Sequence, residues 1–253
     1  IRTIIERCPR RQPGSEDEAE AHNMLSGVFE DLGLTTSSRP FRYNDNLYAN
    51  LVLHFGLGTA GSLAFAVSPA AAMALHGPAG VSYLGDSTRR FMLLRRLLGT
   101  RTCHNLVAQL PARDEPSLRI VLIAHADAAF TGALFDPRLV ERLVGSGKSP
   151  AKSLLARPMR LATYSQLALA GLDGLGMMMG PARHVLWPAV AGLSIPGLLV
   201  FLLNLEIVLR DEIVPGANDN LSGSAGLVIL AHRLMASRPD DVEIVFVISG
   251  AEE

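Results

Sequence analysis

The apolar positions of the chain fall into three kinds of run, and each predicts a different element. In the first kind, Ala21, Met24, Leu25, Val28 and Leu32 recur at helical spacing behind Ser15-Glu16-Asp17-Glu18, which has the form of a capping box, and the series stops at Gly33. This predicts an amphipathic helix. The second kind is short and rich in Val, Ile and Leu. It comprises Asn105 to Leu110, Leu118 to Ala124 and Val242 to Ile248, with Pro111 and Pro116 separating the first two. These predict two neighbouring strands and a central strand. Between them Leu221 to Met235 reads as a buried helix opened by the small residues Ser222, Gly223 and Ser224. Strands alternating with helices predict an α/β fold with a mostly parallel sheet, in which ligands gather at the carboxyl ends of strands. His125 and Glu252 occupy such ends.

The third kind is too long for a compact soluble core. From Asn46 through Gly85 there is no Asp, Glu, Lys or Arg, and the apolar part runs from Leu51 to Leu84 with Pro69 near its middle. A second stretch, Leu161 to Leu209, divides into an arm to Gly180 interrupted by Asp173 and a charge-free arm from Val185 to Leu205. About 20 apolar residues cross the hydrocarbon layer as a helix, so the later arm qualifies and the earlier one is marginal. The segments flanking each insertion must join one sheet and lie on one side of any membrane. Each insertion therefore crosses an even number of times or not at all. The second predicts a helical hairpin turning near Gly180-Pro181-Ala182-Arg183. The first is short for two crossings at about 1.5 Å per residue and predicts a re-entrant or tilted hairpin bent near Pro69. A soluble apolar cap or a dimer interface is the alternative. Arg89, Arg90, Arg95, Arg96 and Arg101 follow the first insertion, and Arg138, Arg142, Lys148, Lys152, Arg157 and Arg160 precede the second arm pair, whereas Arg183 alone marks the distal turn. The positive-inside rule then puts the sheet domain on the cytoplasmic side of the membrane. A basic helix over Phe91–Leu98 lying on headgroups gives the same side.

Composition sharpens this picture. The 253 residues suffice for one α/β domain over 1–253 with membrane-associated insertions at 51–84 and 131–210. Hydrophobic residues make up 49% against 19% charged, and a mean hydropathy of +0.26 exceeds that of an ordinary soluble domain. A formal net charge of -1 with mixed signs gives no reason to expect a nucleic-acid partner. Cys8 and Cys103 stand far apart, so neither a disulfide framework nor a thiolate zinc site is indicated. No signal peptide is visible after Ile1, and the chain stops at Glu253 directly behind an apolar run, which reads as a fragment of a longer protein. Oligomeric state is left open.

Three polar groups punctuate the strand and helix ends. In His125-Ala126-Asp127 a neutral imidazole can ligate a metal while Asp127 accepts from the other ring nitrogen and fixes the tautomer. A satisfied strand-end histidine is the plainer alternative. In Gly216-Ala217-Asn218-Asp219-Asn220-Leu221-Ser222-Gly223 an N-cap accounts for one polar residue of three. Asp219 can then bridge two zinc ions roughly 3.5–4 Å apart, one oxygen on each. Glu252 and Glu253 are either an exposed acidic pair or a division of labour, since consecutive side chains leave an extended chain in opposite directions.

Together these elements resemble the aminopeptidase Y-type zinc peptidases, the family that includes glutamate carboxypeptidases and bacterial leucyl aminopeptidases. The match covers roughly Asn105–Asp127 and Pro215–Glu253, with a weaker one at 15–34. The resemblance implies a three-layer zinc-exopeptidase fold with a mixed, mainly parallel sheet. It also implies a cofactor of two zinc ions, with His125 on one zinc, Asp127 orienting it, Asp219 bridging, Glu252 as general base and Glu253 on the second zinc. The implied reaction is hydrolysis of a terminal bond in a peptide or amino-acyl amide substrate through a metal-activated water. A related deacylase and carboxypeptidase family carries its bridging Asp in Gly-x-x-Asp-x-Lys-Gly, whereas here Leu221 and Ser222 follow Asn220. Two departures stand against the family pattern. An Asp and a His ligand expected after the glutamate pair lie beyond Glu253, and the gap from His125 to Asp219 is long, with the arms at 161–209 inside it. A catalytically silent membrane-anchored scaffold with a peptidase-like fold is the competing reading.

Overall fold

The computed structural model describes residues 1–44, 46–139, 158–238 and 240–252. In chain order the elements are α1 (Arg2–Arg7), α2 (Glu16–Asp31), β1 (Thr35–Asn44), α3 (Leu47–Ala64), α4 (Pro69–Ser87), β2 (Thr100–Leu110), β3 (Leu118–His125), β4 (Phe130–Thr131), α5 (Pro158–Met179), α6 (Trp187–Arg210), β5 (Glu212–Ile213), α7 (Ser222–Ala236) and β6 (Val242–Ser249). Short 3₁₀ turns lie at Leu94–Leu97, Ala133–Phe135 and Gly180–Leu186. The chain divides into two compact units. One is built from Ile1–Asp45, Thr100–Phe130 and Glu212–Glu253, the other from Asn46–Gly99 and Thr131–Asp211.

The first unit is a mixed α/β layer structure. Its sheet has the order β1-β2-β6-β3. β1 pairs antiparallel with β2 and β2 antiparallel with β6, and β3 alone runs parallel to β6. The sheet is thus mixed, but not mainly parallel. The two runs expected to be neighbours are separated by β6. The reason is connectivity: the turn after β2 reverses the chain into β3, and only the helical crossover α7 returns it parallel, into the slot between them. One sheet face, carrying Leu106, Ala108, Leu110, Ala124, Ile244, Phe246 and Ile248, is buried with Ile4, Ala21, Leu25 and Phe29 of α1 and α2 and Leu227 and Ala231 of α7. Val121 and Ile123 on the other face are exposed. Within the first unit, α1, α2 and α7 pack on the buried face.

α2 begins as its capping box predicts, with Ser15 accepting from the Glu18 amide at 3.1 Å. Its buried stripe is Glu18, Ala21, His22, Leu25 and Phe29, while Val28 is exposed. Two polar side chains therefore stand on the inward face beside the apolar ones.

Both excursions to the second unit leave and re-enter the first at adjacent positions. Asn44 at the end of β1 is paired with Thr100 at the start of β2. The amide of Val214 donates to the carbonyl of Ala129 at 3.0 Å. A sheet closed at its own strand ends tolerates long additions there, because loop-closure entropy grows only slowly with length.

The second unit is a four-helix arrangement in which α3 lies beside α4 and α6, and α5 beside α4 and α6. Pro69 is the first residue of α4, with Ser68 as its cap. The residues Gly180–Leu186 turn α5 into α6. Leu51, Phe55, Tyr83, Ala162 and Val200 form one apolar cluster, and Phe65, Ala72, Leu169 and Val190 another. A polar layer accompanies them, to which each helix contributes one side chain. His76 Nδ1 is 2.7 Å from Asp173 Oδ2, both fully buried. His76 Nε2 faces the Gly58 carbonyl at 2.8 Å and Ser62 Oγ at 3.1 Å, and Ser194 donates to Ser62 at 2.7 Å. Asp173 therefore does not interrupt α5, because His76 of α4 hydrogen-bonds its carboxyl group. Gly61 is required here, since a Cβ would sit 2.8 Å from the His76 ring. A basic helix over Phe91–Leu98 does not form. Only Leu94–Leu97 turns, with Arg95 donating to Asp86 at 3.3 Å. The expectations for Arg142, Lys148, Lys152 and Arg157 lie outside the described residues.

Among the described residues, one helical stretch, Met159–Arg210, is long and apolar enough to cross a membrane.

Candidate metal centre

Three segments of the first unit meet at one edge of its sheet. In the parallel pairing His125 stands opposite Ser249, so the chain leaves β3 and β6 at the same level. The turn before α7 arrives beside them. His125, Asp219 and Glu252, distant in sequence, come together here. His125 Nε2 lies 3.3 Å from Asp219 Oδ1 and 3.7 Å from Glu252 Oε2, and His125 Nδ1 lies 3.4 Å from Asp127 Oδ1. The imidazole is buried and so is Asp127, whereas the side chains of Asp219 and Glu252 are 78% and 58% exposed. One nitrogen thus faces a buried carboxylate and the other two solvent-facing ones. Glu253 lies outside the described residues.

The polar turn sorts its residues. Asn220 Oδ1 accepts from the Gly223 amide at 3.1 Å and so caps α7. The Asn218 carbonyl accepts from Ser222 at 2.8 Å. Asp219 is left to face His125. Gly216, at φ 60, starts the turn in the left-handed region, and a Cβ there would meet Arg11 Nη2 at 2.8 Å.

Several residues hold these segments in place, and their roles are not visible in the sequence pattern. Arg11, fully buried, donates to three carbonyls: Cys8 at 2.7 Å, Ala126 at 2.9 Å and Pro215 at 2.6 Å. It ties the loop after His125 to the chain entering the Asp219 turn. Burial lowers its pKa from 12.5, and it remains a cation. Ser224, buried at the start of α7, donates to the His125 carbonyl at 2.8 Å. Beyond β6, Asn105 Oδ1 accepts from the Gly250 amide at 3.1 Å, Glu18 Oε1 from Ala251 at 3.0 Å and Asp127 Oδ2 from Glu252 at 3.0 Å. Burial pushes the Glu18 carboxyl above 4.5, against hydrogen bonds from Cys103, Gly14 and Ala251. Burial and the neighbouring Glu18 push the Cys103 thiol up to about 12. Both cysteines are free and buried. The capping box was the one sequence signal for Glu18. Arg11 had none, because two of its three partners are backbone carbonyls more than a hundred residues away.

The donor set is chemically suited to zinc, which takes imidazole nitrogen and carboxylate oxygen. Two ligands of one tetrahedral ion at about 2.0–2.1 Å stand about 3.3 Å apart, which is the spacing of His125 Nε2 and Asp219 Oδ1. These two residues fit the ion as part of a site. Among the described residues, no group of three or more His, Cys, Asp and Glu side chains is placed to hold a metal ion.

No family model and no curated protein matches the sequence. Among solved structures the chain is similar to the glutaminyl cyclase of Fimbriiglobus ruber, with a TM-score of 0.43 and 12% identity over 100% of this chain and 44% of that one. It is similar to an aminopeptidase from Aneurinibacillus sp. strain AM-1, with a TM-score of 0.44 and 13% identity over 99% and 61%. A third is BSAP, a zinc aminopeptidase from Bacillus subtilis, at 0.41 and 12% over 100% and 60%. The chain spans between 44% and 61% of the lengths of these structures.

Proposed function

We propose that this chain carries part of the active site of a zinc-dependent exopeptidase, which hydrolyses a terminal bond of a peptide or amino-acyl amide. The observation that supports it best is the meeting of His125 Nε2 with the carboxylates of Asp219 and Glu252 at 3.3 and 3.7 Å, from three segments far apart in sequence. In this reading His125, Asp219 and Glu253 hold zinc, and the metal supplies Lewis acidity to a carbonyl and to water when bound. Asp127, 3.4 Å from Nδ1, would hold the His125 ring in the tautomer that leaves its Nε2 lone pair available to zinc. Its second oxygen, on the Glu252 amide at 3.0 Å, fixes the loop that bears the general base. Glu252, more exposed than His125 and Asp127, takes the proton of the attacking water and returns it to the leaving amine. The exposure of Asp219 and Glu252 suits this task, because the substrate must reach both.

Metal analysis of the purified full-length protein tests the proposal, with about two zinc ions per chain and activity lost to chelator as the expected outcome. A stoichiometry near zero with no chelator-sensitive hydrolysis favours the silent scaffold instead. The second unit supports membrane association. Met159–Arg210 is long and apolar enough to span, and Leu199, Leu202 and Leu209 of α6 are exposed. The cytoplasmic orientation of the peptidase unit belongs to the same proposal and rests on the basic residues flanking the arms.

A further inference from the structure

We propose that Glu18 is a positioning residue for the glutamate pair after β6, an inference that rests on the metallopeptidase reading above. Past Ser249 the chain leaves the sheet, and Ala251 adopts φ 52, a left-handed conformation that alanine disfavours. Something must hold it there. Three consecutive amides, those of Gly250, Ala251 and Glu252, are each taken by a side-chain oxygen from a different element. Asn105 belongs to β2 and Asp127 follows β3, the two strands that flank β6. Glu18 alone reaches the loop from the helical layer, and it takes the strained residue itself.

A capping role does not account for this carboxylate. In a capping box the glutamate bonds back to the start of its helix at the surface. Glu18 does so with one oxygen, which accepts from the Gly14 amide at 2.5 Å and the Cys103 thiol at 3.1 Å. Its other oxygen goes to Ala251 at 3.0 Å, and the residue is 2% exposed. Burying a carboxylate is costly unless donors surround it, and a surface cap needs no burial. The loop is seated directly on this group. A Cβ at Gly250 would lie 2.7 Å from Glu18 Oε1 and collide with Cys103 Sγ, so the loop packs against this group with no space between them. Glu18 touches no reacting atom. It acts through the backbone that carries Glu252.

The length of the side chain at position 18 should therefore decide turnover. In full-length protein Glu18→Gln, which keeps an oxygen at the same reach, retains kcat within about fivefold. Glu18→Asp and Glu18→Ala lose about tenfold to a hundredfold in kcat with KM within about threefold, as a misplacement near 1 Å implies. Leu25→Ala, a core substitution on the same helix, serves as the stability-matched control and keeps kcat well below its melting temperature. Hydrogen–deuterium exchange of the peptide bearing Ala251 gives a readout independent of activity. Protection falls in Glu18→Ala and persists in Leu25→Ala. If Glu18→Ala and Glu18→Asp turn over like the control, or if Ala251 stays protected in Glu18→Ala, the positioning role is overturned. If wild type neither binds zinc nor hydrolyses peptides, the metallopeptidase reading falls and takes the role with it, while exchange at Ala251 still reports whether the contact exists.

Discussion

Single residues at the sheet edge divide into those that would touch metal or substrate and those that hold them. Glu252→Gln should leave zinc content near wild type and lower kcat by about 10²–10⁴-fold, the range for a general base, whereas Asp219→Asn and Glu253→Gln should lower zinc affinity as well. Metal content and steady-state kinetics on the same preparations distinguish them. An exchange of behaviour between Glu252 and Glu253 would exchange their roles. Arg11→Met removes the fork that satisfies three carbonyls. Each buried carbonyl left without a donor costs about 1–3 kcal/mol, so a loss of about 3 kcal/mol or more is expected in denaturant unfolding. His22 gives a pH signature. Burial lowers its pKa from 6.5, so the stability it contributes is present above pH 6.5 and is lost as pH falls through its lower folded value. The unfolding free energy of His22→Gln should accordingly vary less than that of wild type between about pH 7 and pH 5.

At the scale of elements, much was legible and the exceptions have one cause. The Ser15 cap, the strand ending at His125, the helix from Ser222 and the strand from Val242 follow from local spacing and turn chemistry. What failed was adjacency: β6, far along the chain, enters between β2 and β3, and no local pattern encodes which strand fills a slot. Asp173 is a second case. Read alone it interrupts an apolar arm, yet in α5 it is paired with His76, 97 residues earlier. Removing one member of a buried pair leaves the other uncompensated, so Asp173→Ala should cost about 3–5 kcal/mol. The double variant His76→Phe with Asp173→Leu should recover most of it. Thermal unfolding of the detergent-solubilised protein, compared across the two variants, decides this. Equal losses in both would mean that the layer is held by the serines and Gly58 instead.

For the whole molecule, the division into two units makes the polar chemistry and the apolar bulk separable. Because Asn44 pairs with Thr100 and Val214 bonds Ala129, replacing 46–99 and 131–211 of the full-length protein with short turns should leave a soluble first unit. The intact protein should sediment with membranes and resist high salt and alkaline carbonate, since apolar area at about 25 cal/mol per Å² rather than headgroup attraction would hold it. A wild-type protein found in the soluble fraction without detergent would make the bundle a cap or an oligomer interface. The sequence by itself determined the hydrophobic periodicities, the caps and the residue types of a candidate zinc site, because these depend on neighbours within a few positions. Only the tertiary structure decided that β6 lies between β2 and β3, that Arg11 and Glu18 brace the loops around His125 and Glu252, and that His76 pairs with Asp173. Each of those is a contact across many residues, whose partner is chosen by the packing of a closed fold and leaves no periodic trace along the chain.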